Sequence, residues 1–237
     1  MHAQNRAICH RDQECQPDGR TVDIDTKTRR GIAIVLGALA LAVVVVLGLV
    51  VTVASDGRTP AVDARWMALV AGGEAPWTLP SLFLHELGFG LPAFVLASTI
   101  AGALFLWDRP WGAGYFLAAA ILSTVLVEIL KNSFGRMRPG EALVETGFGS
   151  YPSGHSARAA MLAVTLGILL PRFWIWILGA AYTVAMMFSR TQLGAHWLTD
   201  TVGGALTGAA VAVLGYAVLA PQLDAEGTRP HPPPWRR

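Results

Sequence analysis

Residues 31–54, GIAIVLGALALAVVVVLGLVVTVA, form a run of 24 residues without a charge. A bilayer core about 30 Å thick needs about 20 apolar residues of helix, so this run can cross with some tilt. The competing reading is a secretory signal peptide. It is disfavoured because residues 1–30 are polar and the apolar part outruns a signal core of about 7–15 residues. Residues 31–54 therefore read as an uncleaved first membrane span.

Working outward, five more apolar runs follow. They are residues 88–107, 111–127 (continuing as helix to Lys131), 159–170 (extended toward one interface by 153–158), 173–188 and 201–220. Composition agrees with this count. Of 237 residues 53% are hydrophobic and 14% charged, where a soluble domain carries about 25% charged residues. Six spans of about 20 residues use about 120 residues, half of the chain. The expected fold is all-α, a six-span transmembrane helix bundle. A soluble enzyme, a disordered chain and a disulfide scaffold are disfavoured. The net charge of +2 is too small and dispersed for a nucleic-acid footprint, so no nucleic-acid partner is expected. Trp66, Trp77, Trp107, Trp111, Trp174, Trp176 and Trp197 fall near span ends, as in an aromatic belt.

Lysine and arginine placement sets the orientation. With both termini cytoplasmic, 11 of the 18 Lys and Arg residues lie inside and 7 outside, and Arg29 and Arg30 abut the first span. Residues 1–30 then form a disordered cytoplasmic tail, 31–220 the membrane domain, and 221–237 a Pro-rich cytoplasmic tail. Cys9 and Cys15 flank His10 without a standard zinc spacing and read as free thiols. Residues 62–71 read as a helix on the membrane surface, with Trp66, Met67 and Leu69 dipping in. His85 and Glu86, at the mouth of the second span, read as an interfacial cap rather than a catalytic pair. No repeat of fixed period is visible.

The outer charges are concentrated in three clusters. In the first, Lys131-Asn-Ser-Phe-Gly-Arg136-Met-Arg138-Pro139, Lys131 and Arg138 are two helical turns apart and can face the same way. Alone, this cluster reads equally as snorkelling anchors or as an anion site. The second, Tyr151-Pro152-Ser153-Gly154-His155, suits a turn entering a helix, whose free N–H groups and positive dipole end attract anions. The third, Ser189-Arg190 through His196 to Asp200, sets a carboxylate one helical turn from an imidazole. That spacing serves an oriented nucleophile or base, or an ordinary surface ion pair. The six-span count brings all three clusters to one membrane face. Ionisable groups at the mouths of apolar helices are functional candidates.

Taken in order, these residues read K-x6-RP, then PSGH, then SR-x5-H-x3-D. The chain thereby resembles the type-2 phosphatidate phosphatase superfamily of integral-membrane lipid phosphate phosphatases. The motifs occupy residues 131–200, and the span layout extends the likeness to about 31–220. The resemblance implies that His196 is the nucleophile of a phosphohistidine intermediate, that Asp200 orients it, and that His155 is the general acid. It also implies a phosphate cage of Lys131, Arg138, Arg190, Ser153 and Gly154. Such a cage can neutralise the equatorial oxygens of a transferring phosphoryl group without a metal. Neither a metal nor a cofactor is therefore expected.

The implied substrate is a lipid phosphomonoester or diphosphate. A polyprenyl diphosphate and a glycerolipid phosphate (phosphatidic acid or phosphatidylglycerol phosphate) both remain open. The implied location is multi-pass in a bacterial plasma membrane, with the site extracytoplasmic and membrane lipids around it. Glu128, three residues before Lys131, reads as its helical partner. Arg158 reads as a ligand for a lipid phosphate or diphosphate or as an anchor, and Arg136 as facing solvent or headgroups. Residues 140–151 are expected to cover the site, where Glu141 and Glu145 repel surplus anions. Two other classes stand against this reading. One is a vanadate-dependent haloperoxidase-like oxidase, whose family shares the motifs but is soluble. The other is a non-enzymatic lipid transporter. The Ala- and Gly-rich spans allow close contacts within or between chains, so a homo-oligomer stays open.

Overall fold

A computed structural model describes residues 25–54, 58–71, 76–140 and 142–228. Helix α1 (Thr26–Leu49) runs on into a π-helical turn over Val50–Ala54. Then come α2 (Ala61–Val70), α3 (Thr78–Leu87), α4 (Gly90–Leu106), α5 (Pro110–Phe134), α6 (Gly154–Leu169), α7 (Phe173–Gln192) and α8 (Leu198–Gly227). No strand occurs among the described residues. Each apolar run of the sequence is a helix. Pro110 opens α5, where its missing N–H costs nothing. Gly135 ends it in the left-handed region.

Among the described residues four helices are long and apolar enough to cross a bilayer: Thr26–Val53, α5, α7 and α8. A fifth crossing is available if α3 and α4, bent by 61° at their junction, act as one span. Helix α6 has only 16 residues, about 24 Å at 1.5 Å per residue. It needs no greater length to stay dry, because most of its side chains are buried against α7, α8 and α5. Against the expected six, length and composition give four or five crossings among the described residues.

Helix α8 is the spine, packed against α1, α5, α6 and α7. Its contact with α6 is backbone on backbone. A Cβ built on Gly204 would fall on the Ser153 carbonyl, and one on Gly208 on the Ala157 carbonyl. Small residues four apart let the two axes come this close, so this small-residue face is used within the chain.

Hydrogen bonds identify the two ends of the bundle. At one end, Thr26 Oγ1 donates to Asp224 Oδ2 at 3.0 Å. There Glu226 accepts from the Trp111 and Gly112 N–H groups at 2.9 Å each, neutralising the N-terminus of α5. Arg109 donates to the Leu169 carbonyl at the same end. The starts of α1 and α5 and the ends of α6 and α8 therefore lie together. The other end gathers the end of α5 and the starts of α6 and α8.

Two tail boundaries shift. Residues 26–30 and 221–227 are helical, and α8 passes through Pro221. The bonds made by Thr26, Asp224 and Glu226 hold these turns in place. Cys9, Cys15, Glu141 and the terminal HPPPWRR lie outside the described residues. The surface helix expected over 62–71 is present as α2, but it is docked on protein. Asp63 is fully buried, and Trp66 Nε1 donates to Thr191 Oγ1 at 2.9 Å.

The glycine contacts give a direct test. Gly208→Ala places a methyl on the α6 backbone, and overpacking of this kind costs about 1–3 kcal/mol. A lower thermal midpoint in detergent and weakened activity are expected. Gly114→Ala, where nothing lies within 4 Å of the added Cβ, leaves both unchanged.

Candidate active site

The loop between α5 and α6, the start of α6, the end of α7 and the turn before α8 enclose a cavity of about 280 Å³. It is lined by Lys131, Arg138, Gly154, His155, Arg190 and His196, six of the eight residues expected from the sequence. The turn that presents His196 needs Gly194 at φ 68°, a conformation that costs other residues strain. Two bonds close it, from the Ala195 and His196 N–H groups to the Arg190 carbonyl at 3.1 and 3.3 Å.

The tautomer of His196 follows from its neighbours. Nδ1 lies 2.8 Å from the Ser150 carbonyl oxygen, which can only accept, so Nδ1 carries the proton. Nε2 lies 3.3 Å from Arg138 Nη1, which can only donate, so Nε2 offers its lone pair. Burial holds the His196 pKa down to about 4, against the raising effect of Asp200. The ring is therefore neutral at ordinary pH and its bare nitrogen faces the cavity, as a nucleophile requires.

Asp200 stands one helical turn from the imidazole, as its spacing suggested, and meets it at ion-pair distance. Its Oδ2 is 3.6 Å from His196 Nδ1, within ion-pair range but beyond hydrogen bonding. That oxygen accepts instead from the Trp197 N–H at 2.9 Å, capping α8, while Oδ1 accepts from Arg136. The direct orienter of the imidazole is the Ser150 carbonyl, with Asp200 behind it. Ser153 also lies behind the cavity. Its Oγ accepts from the Ser156 hydroxyl at 3.2 Å, and its N–H donates to the Asp200 carbonyl at 2.9 Å. It caps α6, and Gly154 faces the cavity in its place.

His155 Nε2 is 3.3 Å from the His85 carbonyl, so in this state that nitrogen carries a proton. Arg190 is buried, with Nη1 2.8 Å from His85 Nδ1 and Nη2 3.0 Å from Ser189 Oγ. Arg138 donates to the Gly147 and Ala195 carbonyls at 2.9 and 2.6 Å. Lys131 Nζ meets Glu128 at 3.0 Å, the helical partner its spacing suggested. Val144, Glu145 and Gly147 bring the 140–151 loop to the cavity wall.

Two readings are corrected. Arg136 does not face solvent or headgroups. It is buried, with Nη2 2.7 Å from Asp63 and Nη1 on Asp200. Its two carboxylate partners lie 73 and 64 residues away, so local spacing held no sign of them. His85 is more than an interfacial cap. It lines the cavity, accepts from Arg190 and stacks on His155 at 5.2 Å between ring centroids. The bend between α3 and α4 turns it inward, which span counting does not reveal. Among the described residues no group of three or more His, Cys, Asp or Glu side chains is arranged to hold a metal ion.

The low pKa has a sign. Protonation removes the Nε2 lone pair, so activity is lost as pH falls through the folded value. With that value at about 4, the His196 limb of a kcat/KM profile, corrected for substrate ionisation, lies near pH 4. A limb near 6.5, the ordinary histidine value, would contradict the buried neutral ring.

Comparison with known proteins agrees with this geometry. Residues 112–223 match the PAP2 superfamily. The chain is 30% identical over 127 residues to an undecaprenyl-diphosphatase of Sulfolobus acidocaldarius, covering 50% of this chain and 61% of that protein. It is 27% identical over 177 residues to a lipid A 1-phosphatase of Rhizobium johnstonii, covering 69% and 70% respectively. The crystal structure of a transmembrane PAP2 type phosphatidylglycerolphosphate phosphatase from Bacillus subtilis superposes with a TM-score of 0.67 at 23% identity. That superposition covers 78% of this chain and 96% of the other. The three motifs, which converge on one cavity, all lie inside the segment that matches the PAP2 superfamily.

Proposed function

We propose that this protein is a metal-independent membrane phosphatase that hydrolyses a lipid phosphomonoester or diphosphate through a phosphohistidine intermediate. The observation that carries the reading is the neutral His196 with bare Nε2, set in a cavity lined by Lys131, Arg138 and Arg190. Phosphoryl transfer asks mainly for positioning and neutralisation of oxygen charge, and this cavity supplies both. Nε2 attacks phosphorus and the bond to the leaving oxygen breaks. The His155 proton passes to that oxygen, and the substrate's own charge favours the imidazolium form that donates it. Water, deprotonated by His155, then cleaves the phosphorus–nitrogen bond and inorganic phosphate departs. Arg138 and Arg190 hold the equatorial oxygens, with N–H groups at the start of α6 beside them.

The substrate reading draws on the relatives, which are named for undecaprenyl diphosphate, lipid A and phosphatidylglycerophosphate. Six crossings are proposed, with α3–α4 as one and α6 as a short one. Lys27, Arg29, Arg30, Arg109 and Arg172 then lie at the end away from the cavity. That bias favours a cytoplasmic face there and an extracytoplasmic site. The polar segments before α1 and after α8 belong on the same inner side, and a bacterial plasma membrane is the proposed location. The ionisable groups lie at the two ends of the bundle, those of the cavity at one of them, whereas a transporter places them near the midplane.

The test is phosphate release from a lipid diphosphate, a phosphatidate and a phosphatidylglycerol phosphate in detergent with chelator present. Release is expected with chelator. His196→Ala is expected to abolish it without changing helix content or thermal midpoint. Turnover that survives His196→Ala, or that vanishes on chelation, would overturn the assignment.

A further inference from the structure

Arg158 belongs to none of the three motifs. It lies three residues after His155 on α6, hence on the same face one turn further along. It lines the catalytic cavity and also an apolar groove of about 420 Å³ bounded by α4, α5 and α6. Its Nε is buried without a hydrogen-bond partner, and among the described residues no acceptor lies within hydrogen-bond or ion-pair distance of its guanidinium, the Glu128 carboxylate acting on it only through space. The other cations of the cavity are engaged. Arg138 holds two carbonyls, Arg190 holds His85 and Ser189, and Lys131 holds Glu128. A Cβ placed on Gly154 would lie 3.7 Å from Arg158 Nη2 and 3.9 Å from Lys131 Nζ, so these two cations converge at the start of α6.

A half-buried guanidinium without an acceptor is costly unless an anion reaches it. Its position says which anion. On the phosphatase reading, the transferring phosphoryl group would sit at His196 between Arg138 and Arg190 with its leaving oxygen toward His155, and the next atoms of the substrate would lie toward Arg158 and the groove. In a phosphomonoester those atoms are the carbon of an alcohol, which has no charge for Arg158 to hold. In a diphosphate they are a second phosphate, on which charge grows as the bridging bond breaks.

Resting on the phosphatase reading above, we propose that Arg158 binds the leaving phosphate of a lipid diphosphate and makes the site prefer diphosphates over monophosphates. The step balances. Nε2 of His196 forms a bond to the terminal phosphorus and the bridging phosphorus–oxygen bond breaks. The electron pair stays on the bridging oxygen, and the His155 proton goes to it. The products are a lipid monophosphate and, after hydrolysis of the phosphohistidine, inorganic phosphate. Because Arg158 meets charge that develops in the transition state, it acts on kcat/KM for diphosphates.

The test measures phosphate release by the full chain in detergent from farnesyl diphosphate, farnesyl monophosphate and phosphatidate. Arg158→Leu is expected to lower kcat/KM for the diphosphate by roughly thirtyfold, the scale of one charge-assisted contact. Both monophosphates should change by less than about threefold, and their turnover reports that the variant is folded. Arg158→Lys, which keeps the charge but loses the planar fork, should fall between. Equal losses on all three substrates overturn the proposal. Should Arg158→Leu fail to fold, an unchanged diphosphate-to-monophosphate ratio in Arg158→Lys overturns it too. Absence of release by the unsubstituted protein from every lipid counts instead against the phosphatase reading itself.

Discussion

The buried carboxylate of Asp200 is the point on which the site end of the bundle depends. It is fully shielded from solvent, and a charge in that position survives only if it is met from several sides. Trp197 N–H meets it at the start of α8, and Arg136 meets it from the loop after α5. Arg136 passes the connection to Asp63 on α2, which in turn holds the N–H and hydroxyl of Thr199. The backbone carbonyl of Asp200 receives the Ser153 N–H and so fixes the start of α6. Four chain segments distant in sequence are thereby set at one depth. The imidazole of His196 rests against this assembly without being directly hydrogen-bonded to the carboxylate.

The cavity in front of that assembly has the opposite character. Lys131, Arg138, Arg158 and Arg190 line it, against the carboxylates of Glu128 and Glu145. Glu128 is already taken by Lys131. A surplus of positive charge in a partly desolvated space attracts a multiply charged anion more strongly than the same charges would in water. The two arginines nearest the nucleophile are held by neutral acceptors: carbonyl oxygens, an imidazole and a hydroxyl. This fixes their geometry while leaving their charge unspent, which is the preorganisation that phosphoryl transfer exploits.

Much of this was legible in the sequence. Uncharged runs marked the helices, because the cost of burying charge in lipid leaves a composition signature. Motif spacing named His155, His196, Lys131, Arg138 and Arg190, because each sits at a helix end where local geometry decides direction. What escaped depends on distant partners. Arg136 and Arg138 are two residues apart, yet one is buried on Asp63 while the other faces the cavity, and nothing between Lys131 and Pro139 says which. His85 enters the site through a bend at a helix junction. The helical turns past Pro221 exist because Glu226 reaches the first N–H groups of α5. Ser153 leaves the cavity wall because its hydroxyl is used in capping α6, while Gly154 stays on it.

The contact of Gly204 and Gly208 with the α6 carbonyls has a mechanical consequence. His155 rides on α6 and His196 stands just before α8, so the separation of the two imidazoles is gauged by main chain against main chain. Main-chain contacts have no rotamers to relax and do not compress. The two imidazoles are therefore set like the fixed jaws of a caliper. The bent junction of α3 and α4 is tied into the same gauge, because His85 just before it bonds Arg190 and stacks on His155.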